Sequence, residues 1–167
     1  MSTPILTTKL FIPQPPTDLV PRRSLIERLT QGLDRKLTLV SAPAGYGKTT
    51  LISEWSAGNL VPFCWVTLDE SDNDISRFLA YIIASLQTIK ITVEEKLLAQ
   101  LAPFHEPETV SILIPLINQI TNSNLAKFVL VLDDYQVIQS REIHTALTFL
   151  LNHQPPAMHL VIITRSD

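Results

Sequence analysis

The run Ala42-Pro43-Ala44-Gly45-Tyr46-Gly47-Lys48-Thr49-Thr50 constrains the fold more than any other stretch of this chain. It follows an apolar segment, Leu37-Thr38-Leu39-Val40-Ser41, and leads into Leu51-Ile52-Ser53-Glu54-Trp55, which has helical spacing. Strand, glycine-bearing loop, Gly-Lys-Thr and helix together form the context of a phosphate-binding P-loop. Gly45 and Gly47 permit the backbone angles that turn several N–H groups toward one anion. A helix beginning near Lys48 aims its positive dipole end at the same point. Lys48 then reaches the β- and γ-phosphates, and the Thr49 hydroxyl can ligate Mg²⁺. Thr50 offers a second hydroxyl, toward the α-phosphate. The general motif has Gly where this chain has Ala42. Pro43 pushes residue 42 toward extended angles, which a small L-residue can adopt.

Composition fits a globular domain built around such a loop. The chain has 167 residues, of which 46% are hydrophobic and 17% charged. That is enough to bury a core, and too apolar for a disordered segment. A net charge of −3 supplies no broad basic field, which argues against nucleic-acid binding by this segment alone. The single cysteine, Cys64, lies in an apolar run and is expected to be a buried, inert thiol. There is no charged-then-apolar leader and no apolar run of roughly 18 residues. A cytoplasmic location without membrane attachment is the expectation.

The pattern alternates strands and helices. Residues 1–22 are Pro-rich and predict an extended arm. Ser24-Leu25-Ile26-Glu27 spells a capping box for a helix ending near Gly32. Strands are expected at 37–41, 63–68, 128–132 and 159–163. Helices are expected at 48–57, about 75–89 with an Asp72-Asn73-Asp74 cap, and from Thr92-Val93-Glu94-Glu95. Residues 107–120 have helical spacing that Pro115 should kink or divide. A further helix, capped by Ser140, should run to about Asn152. Continuous apolar strands separated by helices imply an α/β fold with a parallel sheet covered on both faces.

The third strand ends in a second constellation, Phe128-Val129-Leu130-Val131-Leu132-Asp133-Asp134, the layout of a Walker B segment. Asp133 is placed to hold Mg²⁺ opposite Thr49, commonly through water. Asp134 is placed to orient or deprotonate an attacking water. An apolar run ending in two aspartates also serves as a plain turn or cap, and for Asp134 both readings stay open. Arg165 follows the fourth strand. With that strand between the first and third, a cation there faces the γ-phosphate. Without the other two motifs it reads as an ordinary surface arginine.

From about Thr8 to Asp167 these residues resemble one family in order. The similarity includes Lys9-Leu10-Phe11-Ile12-Pro13, Val20-Pro21-Arg22, the loop at 41–50 and Trp65-Val66-Thr67-Leu68-Asp69-Glu70 with Asp72-Asn73-Asp74. It continues through Leu132-Asp133-Asp134-Tyr135, His153-Gln154-Pro155-Pro156 and Thr164-Arg165. The chain is similar to the N-terminal nucleotide-binding region of large ATP-dependent LuxR-family regulators of the MalT type. These are signalling P-loop ATPases of the STAND class. The resemblance implies a P-loop NTPase fold of the ASCE type, with sheet order 2-3-4-1 and a fifth strand outside this chain.

The resemblance adds further roles to these. Val20, Pro21 and Arg22 would line the adenine pocket. With Ala44, Gly45, Tyr46, Gly47, Lys48, Thr49 and Thr50 they complete a nucleotide site for ATP or ADP. Thr49 and Asp133 would serve Mg²⁺, Asp134 would be catalytic, and Arg165 would be a sensor arginine. The 65–74 segment is a family signature to which the sequence assigns no mechanism. Its residues also read as strand packing by Trp65 and a helix cap from Asp72 or Asp74.

The expected organisation is an arm at 1–22 and a nucleotide-binding domain at 23–167. The family's winged-helix, sensor and DNA-binding domains would follow it. The implied partners are nucleotide, those downstream domains and other copies in the ATP state, with no DNA bound by this segment. Slow ATP hydrolysis would reset the signalling state. Two other classes compete: a free-standing P-loop enzyme such as a small-molecule kinase, and an ADP-holding interaction module that hydrolyses nothing. A kinase usually carries an Arg-rich lid, yet residues 135–158 contain only Arg141. Asp134 separates the switch from the non-hydrolysing module.

Overall fold

The computed structural model describes residues 4–101 and 108–166. Apolar runs bounded by turn residues form β1 (Leu37–Ser41), β2 (Phe63–Thr67), β3 (Phe128–Asp133) and β4 (Met158–Thr164). All neighbouring strands are parallel, in the order β1-β4-β3-β2. β4 therefore separates β1 from β3, as the resemblance requires. Every residue of β3 is buried, as is β4 up to Ile163. These central strands are apolar on both faces because helices cover both.

Side chains alternate along the strands and sort into two cores. On one face Phe63, Trp65, Val129, Val131, Val161 and Ile163 pack with α1 (Arg23–Gln31) and α2 (Lys48–Ala57). Trp55 of α2 meets Phe63 edge-on, with ring centroids 5.0 Å apart. On the other face Cys64, Val66, Leu130, Leu132, Leu160 and Ile162 pack with α3 (Ile75–Thr88), α4 (Glu95–Gln100), α5 (Thr109–Thr121) and α6 (Arg141–Asn152). Cys64 is buried there, and burial pushes its thiol up to about 12, so it is unreactive.

The two outer strands differ. β2 is covered at its edge by a 3-10 turn, Thr7–Leu10. Ile5 and Leu10 join the core on one side of that edge, and Ile12 joins the core on the other. The arm is thus a packed edge cover with one helical turn in it, Thr7–Leu10, where its prolines predict an extended arm throughout. β1 is more open, and Leu39 is 60% exposed.

Several local expectations change. Ser24 lies inside α1 and caps nothing; Arg22 is the N-cap residue, and it makes no side-chain cap bond. Thr92 does not begin α4, whose N-cap is Glu94. α5 is not divided at Pro115. A helical proline costs about 3 kcal/mol. Burying Ile112, Leu113, Leu116 and Ile120 outweighs that cost. Asp74 caps α3 by accepting from the Arg77 N–H, and Ser140 caps α6 through the Ile143 N–H, as expected. The expected start of α5 at Pro107 lies outside the described residues.

Candidate functional site

The carboxyl ends of β1, β3 and β4 open on one side of the sheet, where ligands bind in open α/β folds. Residues 42–47 leave β1 and enter α2. Gly45 and Gly47 have φ of 83° and 72°, in the left-handed region that disfavours a Cβ. Gly47 is the N-cap residue of α2, and no side chain caps the helix. The first N–H groups of α2 therefore face the loop without a side-chain acceptor. Lys48 Nζ donates to the carbonyls of Ala42 at 2.7 Å and Pro43 at 2.9 Å. The ammonium is held over the mouth of the loop. Ala44 and Tyr46 are exposed on its rim, while Thr49 and Thr50 are half-buried.

Asp133 closes the site from below. The Thr49 hydroxyl lies 3.0 Å from one Asp133 carboxylate oxygen and 3.2 Å from the other. Asp133 is only 3% exposed. No ion pair among the described residues includes it. Burial, reinforced by the nearby Asp134 charge, pushes its carboxyl up to about 6, against the Thr49 hydrogen bond. A buried carboxylate beside a hydroxyl, short of cationic partners, is a donor set that suits a hard divalent cation.

Asp134 sits at φ 60°, unusual for a residue with a Cβ. Its N–H donates to Asp133 Oδ1 at 2.9 Å, and its carbonyl accepts from the Val137 N–H at 3.2 Å. The backbone is thereby fixed on both sides, and the residue is half-buried. Gln136 donates to that carboxylate at 3.2 Å and accepts from the Arg165 N–H at 3.2 Å. The Arg165 residue itself is exposed just past the end of β4. No sequence motif singled out Gln136, because its role depends on a contact with the end of a different strand.

Arg22 reaches the loop from the arm and donates to the Tyr46 carbonyl at 3.3 Å. A cavity of about 570 Å³ lies beside it, lined by Arg22, Leu25, Leu39, Tyr46, Lys48 and Leu51 among others. Apolar walls with a cation at one end suit a planar base attached to a phosphate. Of the three arm residues, Arg22 lines this cavity; Val20, 79% exposed, and Pro21 do not.

A MalT transcriptional regulator of Serratia proteamaculans is 36% identical over 164 residues, 97% of this chain and 18% of that protein. Its counterpart in Yersinia pestis is 38% identical over 165 residues, again 97% of this chain and 18% of that protein. The chain is a homologue of one segment of the MalT-type regulators. It spans about a fifth of the length of these relatives. No family model matches the chain.

Solved structures agree on the fold. The Cdc6 protein of Pyrobaculum aerophilum aligns with a TM-score of 0.60 at 16% identity, covering 98% of this chain and 44% of that one. A Walker-type ATPase of Pyrococcus abyssi aligns at 0.58 with 17% identity, covering 91% and 47%. This chain therefore has the P-loop NTPase fold. Among its described residues no helix is long and apolar enough to cross a membrane.

Proposed function

We propose that this chain is the nucleotide-binding switch module of a MalT-type transcriptional regulator, binding ATP or ADP at the 42–50 loop. The observation that carries this reading is the contact between Thr49 and Asp133. It joins the two sequence motifs at the ends of β1 and β3, on either side of β4. Gly45, Gly47, Lys48, Thr49 and Thr50 hold the phosphates, with Ala44 and Tyr46 on the rim. Arg22 and the cavity next to it receive the base, with Val20 and Pro21 on the approach. Thr49 and Asp133 would hold Mg²⁺, which when bound neutralises phosphate charge. Asp134 orients the attacking water and takes its proton. Arg165 senses the γ-phosphate.

Hydrolysis is slow and resets the signalling state. Residues 1–22 act as the arm and 23–167 as the nucleotide domain, in a longer cytoplasmic regulator that self-associates with ATP bound. This segment binds no DNA. The kinase alternative draws no support from the chain between β3 and β4. That stretch is occupied by α6 packed on the sheet, with Arg141 as its single arginine.

Identifying the nucleotide that copurifies with the protein tests the reading, together with its thermal shift by ADP and by ATP with Mg²⁺. Adenine nucleotide should copurify or raise Tm. Indifference to both nucleotides, with none copurified, contradicts the proposal.

A further inference from the structure

The candidate site is closed by a circuit of hydrogen bonds. Thr49 donates to Asp133, whose Oδ1 accepts from the Asp134 N–H. Gln136 links the Asp134 carboxylate to the Arg165 N–H. The next residue, Ser166, donates its N–H to the Ala42 carbonyl at 3.3 Å. That same carbonyl accepts from Lys48 Nζ, next to Thr49 in the chain. The Walker-type motifs and the end of β4 supply every member of this circuit except Gln136.

Resting on the proposed function, we infer that Gln136 is a positioning residue that couples the end of β4 at Arg165 to the carboxylate of Asp134. The chemistry at its two partners is complementary. A carboxylate only accepts, and a backbone N–H only donates. A primary amide satisfies both at once, and the partners fix which end is which. Turning the amide over would set oxygen against carboxylate and N–H against N–H. Glutamate fails at Asp134, and lysine or arginine fails at the Arg165 N–H. The amide also bridges two segments that covalent connection leaves far apart. A phosphate drawn to the Arg165 side chain thus bears on Asp134 through the backbone amide of Arg165 and one intervening side chain. The residue that meets the γ-phosphate and the residue that handles water move as a unit.

The test compares Gln136→Leu, Gln136→Glu, Asp134→Asn and the double variant Gln136→Leu/Asp134→Asn. Gln136→Leu should lower kcat for Mg-ATP by about tenfold with KM unchanged, because one bond to a charged group is lost. In the Asp134→Asn background it should cost nothing further, since its effect passes through that carboxylate. Gln136→Glu should lose the same turnover while keeping its acceptor for the Arg165 N–H. Two NMR readouts need no turnover. Asp134→Asn should shift the Gln136 side-chain amide resonances. Gln136→Leu, unlike Gln136→Glu, should speed hydrogen exchange at the Arg165 amide.

Additive losses in the double variant would overturn the positioning role and leave the nucleotide site intact. Unmoved Gln136 and Arg165 signals would overturn it as well. Unchanged turnover in Asp134→Asn alone would instead reject the catalytic part of the proposed function, and the NMR comparison would still decide the coupling.

Discussion

Lys9 and Asp72 form a buried ion pair that fastens the N-terminal arm to the edge of the sheet. Lys9 also donates to Asp69 at 2.8 Å, and Arg77 donates to the other Asp72 oxygen at 3.1 Å. Lys9 Nζ lies 4.4 Å from the Tyr81 ring centroid, and the Tyr81 hydroxyl accepts from the Leu6 N–H. The Lys9 and Asp69–Asp74 motifs thus become one device. Asp72 accepts from the Asp69 N–H and takes two cations, while Asp74 caps α3. Without Lys9 the buried Asp72 carboxylate keeps Arg77 as its one cation. Lys9→Met should therefore cost up to about 3 kcal/mol in urea denaturation, with little salt dependence. An unchanged midpoint would mean that the arm is not held this way.

Gly47 carries two constraints at once. Its φ is 72°, and a Cβ there would clash with the Arg22 guanidinium. Gly47→Ala should lower stability by about 1 kcal/mol through backbone strain. It should also displace Arg22 from the Tyr46 carbonyl and weaken nucleotide binding. Gly58→Ala is the control, because its nearest contact would be an ordinary 3.7 Å and its φ is negative. Equal behaviour of the two variants in denaturation and binding would contradict the assigned loop geometry.

Two buried groups give acid dependences of opposite sign. The Asp133 carboxyl is raised to about 6 from 3.8, so the folded chain binds this proton more tightly than the unfolded chain. Its ionisation therefore costs stability above about pH 6, and the cost vanishes below 3.8. Without divalent cation, Asp133→Asn should be more stable than the parent at pH 7.5, by up to about 3 kcal/mol, with no advantage in strong acid. His159 works the other way. It donates to the Arg35 carbonyl through Nδ1 and meets Thr38 through Nε2, and burial holds its pKa below 6.5. Its stabilisation is lost as pH falls below that value. Asp133→Asn should therefore weaken steadily from pH 7 to 5, while the parent changes less. Parallel urea-midpoint profiles would reject the Asp133 assignment.

Local punctuation made part of this legible in advance. Gly45, Gly47 and Gly58 bracket α2, so its bounds at 48 and 57 follow from the sequence. β1 is likewise bounded at 37 and 41. Strand order is different: no periodicity places β4 between β1 and β3, and that expectation came from family resemblance. Ser24 spells a cap that tertiary packing leaves unused. Lys9 and Asp72 are 63 positions apart, and Gln136 and Arg165 are 29 apart. Each of those contacts exists only once the sheet has assembled. The P-loop was readable because its chemistry is local to nine residues.

The central claim is that Lys48 and its loop bind nucleotide phosphate. Isothermal calorimetry of the parent and Lys48→Ala with ADP, and with ATP plus Mg²⁺, tests it most directly. The parent should bind measurably and the variant should lose at least about tenfold in affinity, because the principal phosphate cation is removed. Equal affinity in the two proteins would contradict it.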